Sequence, residues 1–258
     1  MMISISSTVD WRATHHGAVI GLLELSGVEN TFPSPQLNQH KRETETRLRR
    51  DYAGFSRGDF LALPVMAAYE QYYKRFDKTY HVQLQVESIV MKGKNLLDVS
   101  PLVDANFAAE VVTFVLTAGH DATKLDAPVL IDVSRADDEM TLMNGAAKLI
   151  RAGDMVMRDR HGVCCSILYG QDNRSPITAG TRHVLYVAYA PPGVPAETVE
   201  AQLRQIEQNV RLFTPQLRVK QSRLLAALGH WTDSHPIHTR SRSTPPDSAQ
   251  SERPEHHR

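Results

Sequence analysis

The segment from Lys92 to Leu125 constrains the fold more than any other part of the chain. Ser100 followed by Pro101 is typical of a helix start, because Ser can accept a hydrogen bond from a free backbone N–H and Pro at the first helical position loses none. We therefore predict that a helix begins there. One face of this helix is apolar, since a hydrophobic residue recurs at every fourth position: Val103, Phe107, Val111 and Val115.

A second face of the same predicted helix carries short polar side chains. Asn106, Glu110 and Thr113 lie on it, and Asp104 lies near the N-terminus, where the helix dipole favours a negative charge. The following residues, Gly119 to Asp121, predict a polar turn. Together these features indicate one wall of a pocket. An ordinary amphipathic helix with a solvated face is the alternative, because such helices far outnumber binding sites.

The overall charge gives no general attraction to nucleic acid or to a membrane. Lys and Arg together number 29, as do Asp and Glu, so any nucleic-acid contact needs a local basic patch. No apolar run approaches the roughly 20 residues that cross a bilayer, and the N-terminus lacks a basic region followed by an apolar one. A disulfide between the adjacent Cys164 and Cys165 would be strained. We expect a cytoplasmic protein with no membrane partner, since unpaired cysteines are typical of a reducing compartment.

The remaining patterns predict an α+β fold. We expect strands at residues 18–25, 129–133 and 183–190, a hairpin over 153–170, and helices at 36–52, 64–76, 82–91, 195–213 and 216–228. From Gly229 onward the chain is rich in Ser, Pro, His and Arg and nearly lacks apolar residues, which is typical of disorder. We therefore predict one domain, residues 1–228, and a disordered tail, residues 229–258.

Familiar cofactor motifs are absent from the sequence. It contains no Gly-rich phosphate loop, no CxxC pair, no HExxH and no GxSxG, so we expect no cofactor and no metal. Lys92 and Lys94 flank Gly93, after the predicted helix 82–91. They indicate either a contact with the backbone phosphates of a nucleic acid or simply an exposed turn.

The order of three segments resembles a known family. The segments are KGKNLLDVSPLVDANFAAEV, AGHDATKL and GDMVMRDRHGVCCSILYGQDNRSPITAGTRHVLYVA. In this order they resemble the B3/B4 unit of the phenylalanyl-tRNA synthetase β subunit, and still more its free-standing relatives. The resemblance covers roughly residues 10–215 and is strongest over 89–190. The matching motifs are a Pro-Leu-Val-Asp helix start at 101–104, a Gly-x-Asp turn at 119–121, and Gln171, Arg174, Ile177 and Thr178 in a polar loop.

This resemblance implies a single B3/B4-like domain in which helices pack on a mixed or antiparallel sheet and a pocket lies between the subdomains. In the synthetase this pocket hydrolyses the ester of tyrosine wrongly attached to the tRNA for phenylalanine. The free-standing relatives are expected to act in trans on mischarged tRNA. The implied partner is tRNA or aminoacyl-tRNA, bound by a monomer, with Lys92 and Lys94 as tRNA contacts.

The resemblance also implies a set of site residues, with two departures. Ala118 stands where the family has a His, with His120 two residues later, and Asn173 aligns with a family Glu. We expect His120 and Asn173 to be catalytic, and the substrate to be bound by Asp104, Asn106, Asp121, Gln171, Arg174, Thr178 and Thr181. Because an aminoacyl ester is already activated, a pocket that orients water and binds the oxyanion could hydrolyse it.

Three alternatives remain open from the sequence. His120 could be a loop histidine without a role. Arg174 could form a structural ion pair with Asp104 or Asp121 instead of binding substrate. The whole pocket could belong to a binding module that holds tRNA or an amino acid and catalyses nothing, which the loss of the family His and Glu favours.

Overall fold

A four-stranded antiparallel sheet runs through the centre of the protein in the computed structural model, which describes residues 2–31 and 33–227. The helices are α1 Val9–Thr14, α2 Pro35–Asp51, α3 Arg57–Ala62, α4 Pro64–Lys74, α5 His81–Lys92, α6 Pro101–Thr113 and α7 Ala196–Arg211. The strands are β1 Ile5–Ser7, β2 Val19–Ser26, β3 Thr117–Asp121, β4 Val129–Val133, β5 Glu139–Thr141, β6 Ala147–Leu149, β7 Met155–Asp159, β8 Gly162–Ser166, β9 Gly170–Gln171, β10 His183–Ala190 and β11 Arg218–Ala226.

These strands form two larger sheets and one hairpin. The central sheet has the order β11-β2-β10-β3. A mixed sheet has the order β1-β4-β7-β8-β9, in which only β1 and β4 are parallel, and β5 pairs with β6. Helices pack against these sheets, so the predicted α+β class with mixed and antiparallel sheets is confirmed. None of the helices in the described ranges is long and apolar enough to cross a membrane.

The core lies around β2 and β10, whose residues are almost all buried. Both are runs of apolar residues, as expected for strands that are covered on both faces. Helix α7 packs against β2 so closely that a Cβ atom at Gly21 would lie 2.7 Å from Val199 Cγ1. Glycine is therefore required at this point of the strand. The buried face of α7 combines the apolar residues Val199, Leu203, Ile206 and Val210 with the amides of Gln202 and Asn209.

Most of the predicted elements are present, but two were assigned the wrong structure. Residues 119–121 were expected to form a turn, yet they belong to β3, where His120 pairs with Leu185 of β10. Residues 216–228 were expected to form a helix, but strand β11 occupies most of this range and pairs with β2. Both errors arise because pairing with a distant strand overrides the local pattern. The predicted tail at 229–258 lies outside the described residues.

The start of α6 also differs in detail from the expectation. The Ser100 hydroxyl makes no capping hydrogen bond. Instead the side chain of Asn30 accepts from Leu102 N at 2.9 Å, and Asp104 accepts from Val99 N at 2.9 Å. One free N–H group at the helix start, that of Leu102, is thus satisfied by a residue 72 positions away in the sequence.

Candidate functional site

A cavity of about 1170 Å³ lies between α6 and the segment that follows β8. It slightly exceeds the range of about 300–1,000 Å³ that is usual for small-molecule sites. Residues of α6 and of the polar loop that contains Gln171, Ile177 and Thr178 therefore meet around one pocket. The described residues that line the cavity are Asn30, Thr31, His81, Gln85, Val99, Ser100, Val103, Asn106, Phe107, Glu110, Leu116, Thr117, Ala118, Gly119, Leu142, Met143, Asn144, Cys165, Ser166, Ile167, Tyr169, Gly170, Gln171, Ile177, Thr178, Ala179, Tyr186 and Tyr189.

Strand β3 and the loop after β9 approach closely at one wall of the cavity. A Cβ atom at Gly119 would lie 2.7 Å from Ile177 Cδ1 and 3.2 Å from the Tyr186 ring. Glycine at this position lets the loop pack directly on the strand. The Gly-x-Asp motif thus acts through a close approach of side chains rather than through a turn.

Glu110 is the only carboxylic acid among the described lining residues, and no Lys or Arg lines the cavity with it. Its Oε1 atom accepts a hydrogen bond from Thr117 N at 2.7 Å. Burial raises the pKa of Glu110 to about 8, because no cation compensates the charged form. The carboxyl group is therefore mostly protonated at neutral pH, and it brings no negative charge to the cavity.

Two buried amides fix the position of Glu110. Asn106 lies one turn earlier on α6 and donates to Thr117 O at 2.8 Å. Gln202 of α7 donates to Thr117 Oγ1 at 3.0 Å. Both bonds hold the strand residue that donates to Glu110. The sequence pattern placed Asn106 and Glu110 on the same face of the helix, and this pattern could have identified Glu110 as a residue of the site. However, Glu110 was not included among the expected site residues.

Tyr189 contributes a hydroxyl group to the cavity wall, and this hydroxyl lacks a normal hydrogen-bond partner among the described residues. Its hydroxyl is buried, and apart from the neighbouring Cys165 thiol it has no hydrogen-bond partner among the described residues. A buried polar atom without a partner costs free energy, and a ligand could supply the missing bond. The neighbouring Cys165 is no nucleophile, because burial raises the pKa of its thiol to about 12.

His81 is the only histidine among the described residues that line the cavity. It begins α5, and its Nδ1 atom lies 3.4 Å from the hydroxyl of Tyr73. His81 is an exposed residue, but partial desolvation of its ring by the surrounding residues lowers its pKa below the usual 6.5, so the ring is mostly neutral at pH 7. A neutral imidazole at this place can accept a proton from water.

Ser166 and Asp154 resemble a nucleophile with its base, but their bonding is structural. The Ser166 hydroxyl donates to Asp154, which also accepts from the Tyr72 hydroxyl at 2.7 Å. Burial raises the pKa of Asp154 to about 7. However, Ser166 Oγ accepts from both Leu168 N and Tyr169 N at 3.2 Å. Both lone pairs are therefore engaged in the turn, and none is free for attack.

Only part of the expected site faces the cavity. Asn106, Gln171 and Thr178 line it, whereas six other residues that were expected to do so are absent from its walls. These are Asp104, His120, Asp121, Asn173, Arg174 and Thr181.

His120 is completely buried rather than exposed to a substrate. Its Nδ1 atom lies 2.8 Å from Ser175 Oγ, and Ser175 in turn donates to Asp172 at 3.0 Å. Burial lowers the pKa of His120 to about 4, so the ring is neutral over the physiological range. His120 therefore lacks the access to the cavity that the expected proton-transfer role requires.

Asp104 and Asp121 hold the scaffold together. Lys41 Nζ lies 2.7 Å from Asp104 Oδ2, and both side chains are fully buried. Asp121 accepts from the hydroxyl of Thr181 at 2.8 Å and from Thr123 N at 3.0 Å. Each carboxylate is thus paired within the protein, and Thr181 is used in the same way.

Arg174 forms structural ion pairs, but with other partners than the sequence suggested. Its guanidinium group lies 3.0 Å from Asp159 and 2.6 Å from Asp172. Asn173 is exposed, and its backbone N–H donates to Thr141 O at 3.0 Å. This bond anchors the β5–β6 hairpin, whose tip lines the cavity.

Lys92 and Lys94 are exposed at the end of α5, where Gly93 adopts a left-handed conformation with φ +64°. His81 begins the same helix. The two ends of α5 are separated by about 16 Å, given a rise of about 1.5 Å per residue. A contact of these lysines with tRNA remains a prediction.

No protein-family model matches the chain, and no curated protein is detectably similar to it. Among solved structures, an N-terminal fragment of the phenylalanyl-tRNA synthetase β subunit from Pyrococcus horikoshii aligns with a TM-score of 0.43 and 8% sequence identity. The alignment covers 87% of this chain and 50% of that chain, so this protein spans about half the length of the fragment. The similarity is loose, and neither the activity nor the partners of the synthetase follow from it here.

Proposed function

We propose that this protein binds the aminoacylated 3′ end of a tRNA in the cavity and hydrolyses the ester in trans. The amino acid would be tyrosine or another noncognate residue. One observation carries the proposal: α6 and the loop after β9, which hold the motifs of the resemblance, enclose one cavity with room for an amino acid and a terminal nucleoside. The cavity is mostly apolar, and its few polar groups converge from different elements, as is usual for a ligand site.

Glu110 is the group that we assign to the amino end of the substrate. An α-ammonium group needs acceptors, and Glu110 is the only carboxylic acid on the described part of the wall. A positive charge beside this carboxyl group lowers its pKa, so Glu110 loses its proton when the substrate binds. The free Tyr189 hydroxyl, together with the side chains of Gln171 and Thr178, supplies further hydrogen bonds.

His81 takes the proton-transfer role that the sequence assigned to His120. The neutral ring at the cavity accepts a proton from the attacking water. Because the ester is already activated, orientation of this water supplies much of the rate enhancement. Hydrolysis should therefore fall at low pH as the His81 ring becomes protonated.

A deacylation assay tests this function. Purified protein should release amino acid from at least one member of a panel of mischarged tRNAs faster than buffer does. We expect His81→Ala to lower the rate by about 10²-fold, as for loss of a general base. The matched control is His16→Ala, which removes an exposed histidine that does not line the cavity. No release above buffer across the panel would exclude the hydrolase.

A binding module without catalysis is the second candidate. It is favoured by the absence of both expected catalytic residues, His120 and Asn173, from the described lining of the cavity. In that case the protein would bind a nonhydrolysable aminoacyl-adenosine amide, and Glu110→Gln would weaken this binding, while no mischarged tRNA would be deacylated. The same two assays therefore separate both candidates.

A further inference from the structure

Two lysines from distant parts of the chain meet at one tyrosine of the cavity. Lys78 lies between α4 and α5, and its Nζ atom is 4.8 Å from the centre of the Tyr169 ring. Lys148 lies on β6, and its Nζ atom is 4.7 Å from the same centre. Tyr169 itself lines the cavity. Two ammonium groups are thus held beside a lining residue of the cavity, although neither lysine is itself among the described lining residues, none of which is a Lys or Arg.

Neither of these lysines has a carboxylate partner among the residues that the structure describes. Nearby basic residues behave differently, since Lys74 pairs with Glu70 at 2.9 Å and Arg151 lies 3.8 Å from Asp77. The electron-rich face of a tyrosine ring compensates an ammonium group only weakly, and the two charges repel each other. An anion that contacts these ammonium groups would offset their charge and reduce this repulsion.

We propose that Lys78, Tyr169 and Lys148 form a binding site for the phosphate group of a nucleotide whose nucleoside enters the cavity. Lysine ammonium groups are common phosphate ligands, and each can donate three hydrogen bonds. The site rests on the proposed function only for the identity of the nucleotide, which is then the 3′-terminal nucleotide of the tRNA. The phosphate itself is inferred from the lysine pair.

The position of this site also indicates which of two lysine pairs, Lys78 with Lys148 or Lys92 with Lys94, contacts the phosphate. Lys92 and Lys94 lie about 16 Å from His81 along α5, as estimated from the helix rise. Lys78 precedes His81 by only three residues, and its ammonium group lies beside Tyr169, which lines the cavity. A terminal phosphate that reaches the cavity should contact Lys78 and Lys148 rather than the lysines at the far end of α5.

A comparison of adenosine and adenosine 5′-monophosphate tests the site by isothermal titration calorimetry. At low salt the monophosphate should bind the full-length protein about tenfold more tightly, and the advantage should shrink as salt is added. The double variant K78A/K148A should lose this advantage. The control K92A/K94A removes the same charge and should keep it. Equal affinity of both ligands for the unmodified protein, or equal losses in the two variants, would overturn the proposal.

A second double variant separates the loss of charge from the loss of packing on Tyr169. K78M/K148M keeps the apolar stems that cover Tyr169 and removes only the charges, so it should lose the phosphate advantage as well. If the alanine variant loses the advantage and the methionine variant keeps it, the lysines act by packing and the phosphate site is wrong.

The source of the phosphate is identified by a third ligand. A trinucleotide with the 3′-terminal sequence of tRNA should also bind, with a loss of at least about tenfold in K78A/K148A. Binding of the monophosphate but not of the trinucleotide would support the phosphate site and assign it to a free nucleotide.

Failure of deacylation with a retained phosphate advantage would reject the proposed function alone. Deacylation without any phosphate advantage would reject this site alone.

Discussion

Each end of α6 carries a buried carboxyl group, but only the group at the N-terminal end has a cation beside it. At the first turn, Asp104 is fully buried and lies 2.7 Å from the buried ammonium group of Lys41. Two turns later, Glu110 is equally buried, has no cation beside it, and has a pKa raised to about 8. The paired carboxylate belongs to the scaffold, whereas the unpaired carboxyl group faces the cavity. This contrast shows that a buried ionisable group on the cavity wall without an ion-pair partner indicates a functional site better than an ion-paired group does.

Removal of Lys41 should have the largest effect. Lys41→Ala leaves Asp104 buried without its cation, and breaking a buried ion pair in this way costs about 3–5 kcal/mol. We expect the free energy of unfolding in urea to fall by this amount at pH 7. The double variant K41M/D104N removes both charges and should recover much of the loss. If Lys41→Ala changes stability by less than about 1 kcal/mol, the two ends of α6 do not differ as described.

Glu110→Gln should instead change how stability depends on pH. The pKa of Glu110 is raised in the folded protein, so its contribution is complete below about pH 4.5 and is lost as the pH rises through about 8. The pKa shift corresponds to a change of the order of 4 kcal/mol. The variant should lose correspondingly less stability between pH 5 and 8.5 than the unmodified protein. Parallel stability curves would show that Glu110 is ionised at neutral pH.

The pH dependence of stability should also reveal His120, a buried scaffold residue without an ion-pair partner. Its pKa is lowered to about 4, so the unfolded chain binds a proton from about pH 6.5 downward, whereas the folded protein does so only near pH 4. Stability is therefore lost as the pH falls through this window, by about 2 kcal/mol at pH 5. His120→Asn removes this loss, so the stability advantage of the unmodified protein over the variant should be smaller at pH 5 than at pH 7. An advantage that does not change with pH would show that His120 titrates normally.

Asn173→Ala should have the smallest effect. The Asn173 side chain is exposed and does not line the cavity, and the bond to Thr141 uses the backbone N–H. We expect a change in stability within about 0.5 kcal/mol and an unchanged deacylation rate. Loss of activity in this variant would place the site on the outer side of the loop, away from Glu110.

The elements that were predicted correctly have a strong local pattern. Strands β4 and β10 have the predicted bounds, since each is rich in β-branched, aromatic and aliphatic residues and is bounded by proline or polar residues. The hairpin of β7 and β8 lies within the predicted range 153–170. Strand β11 was mistaken for a helix, because its strand conformation depends on pairing with β2, roughly 200 residues earlier.

The site could be predicted only in outline. The meeting of α6 with the loop after β9 followed from the motifs, but the partner of each polar group did not. Lys41 reaches Asp104 across 63 residues, which no local pattern reveals. Lys78 and Lys148 come together only because the β5–β6 hairpin and the start of α5 meet at Tyr169. Such contacts are set by tertiary packing, so the sequence identified the wall of the cavity and not its chemistry.

The ionisation of Glu110 on ligand binding tests the central claim most directly. The carboxyl carbon of ¹³C-labelled glutamate can be titrated by NMR, with Glu110→Gln used to assign the signal. In the free protein its pKa should be about 8. With a nonhydrolysable tyrosyl-adenosine amide bound, the α-ammonium group should lower this pKa by at least about one unit. A signal that titrates near 4.5 in the free protein, or one that is unchanged by saturating ligand, would contradict the account.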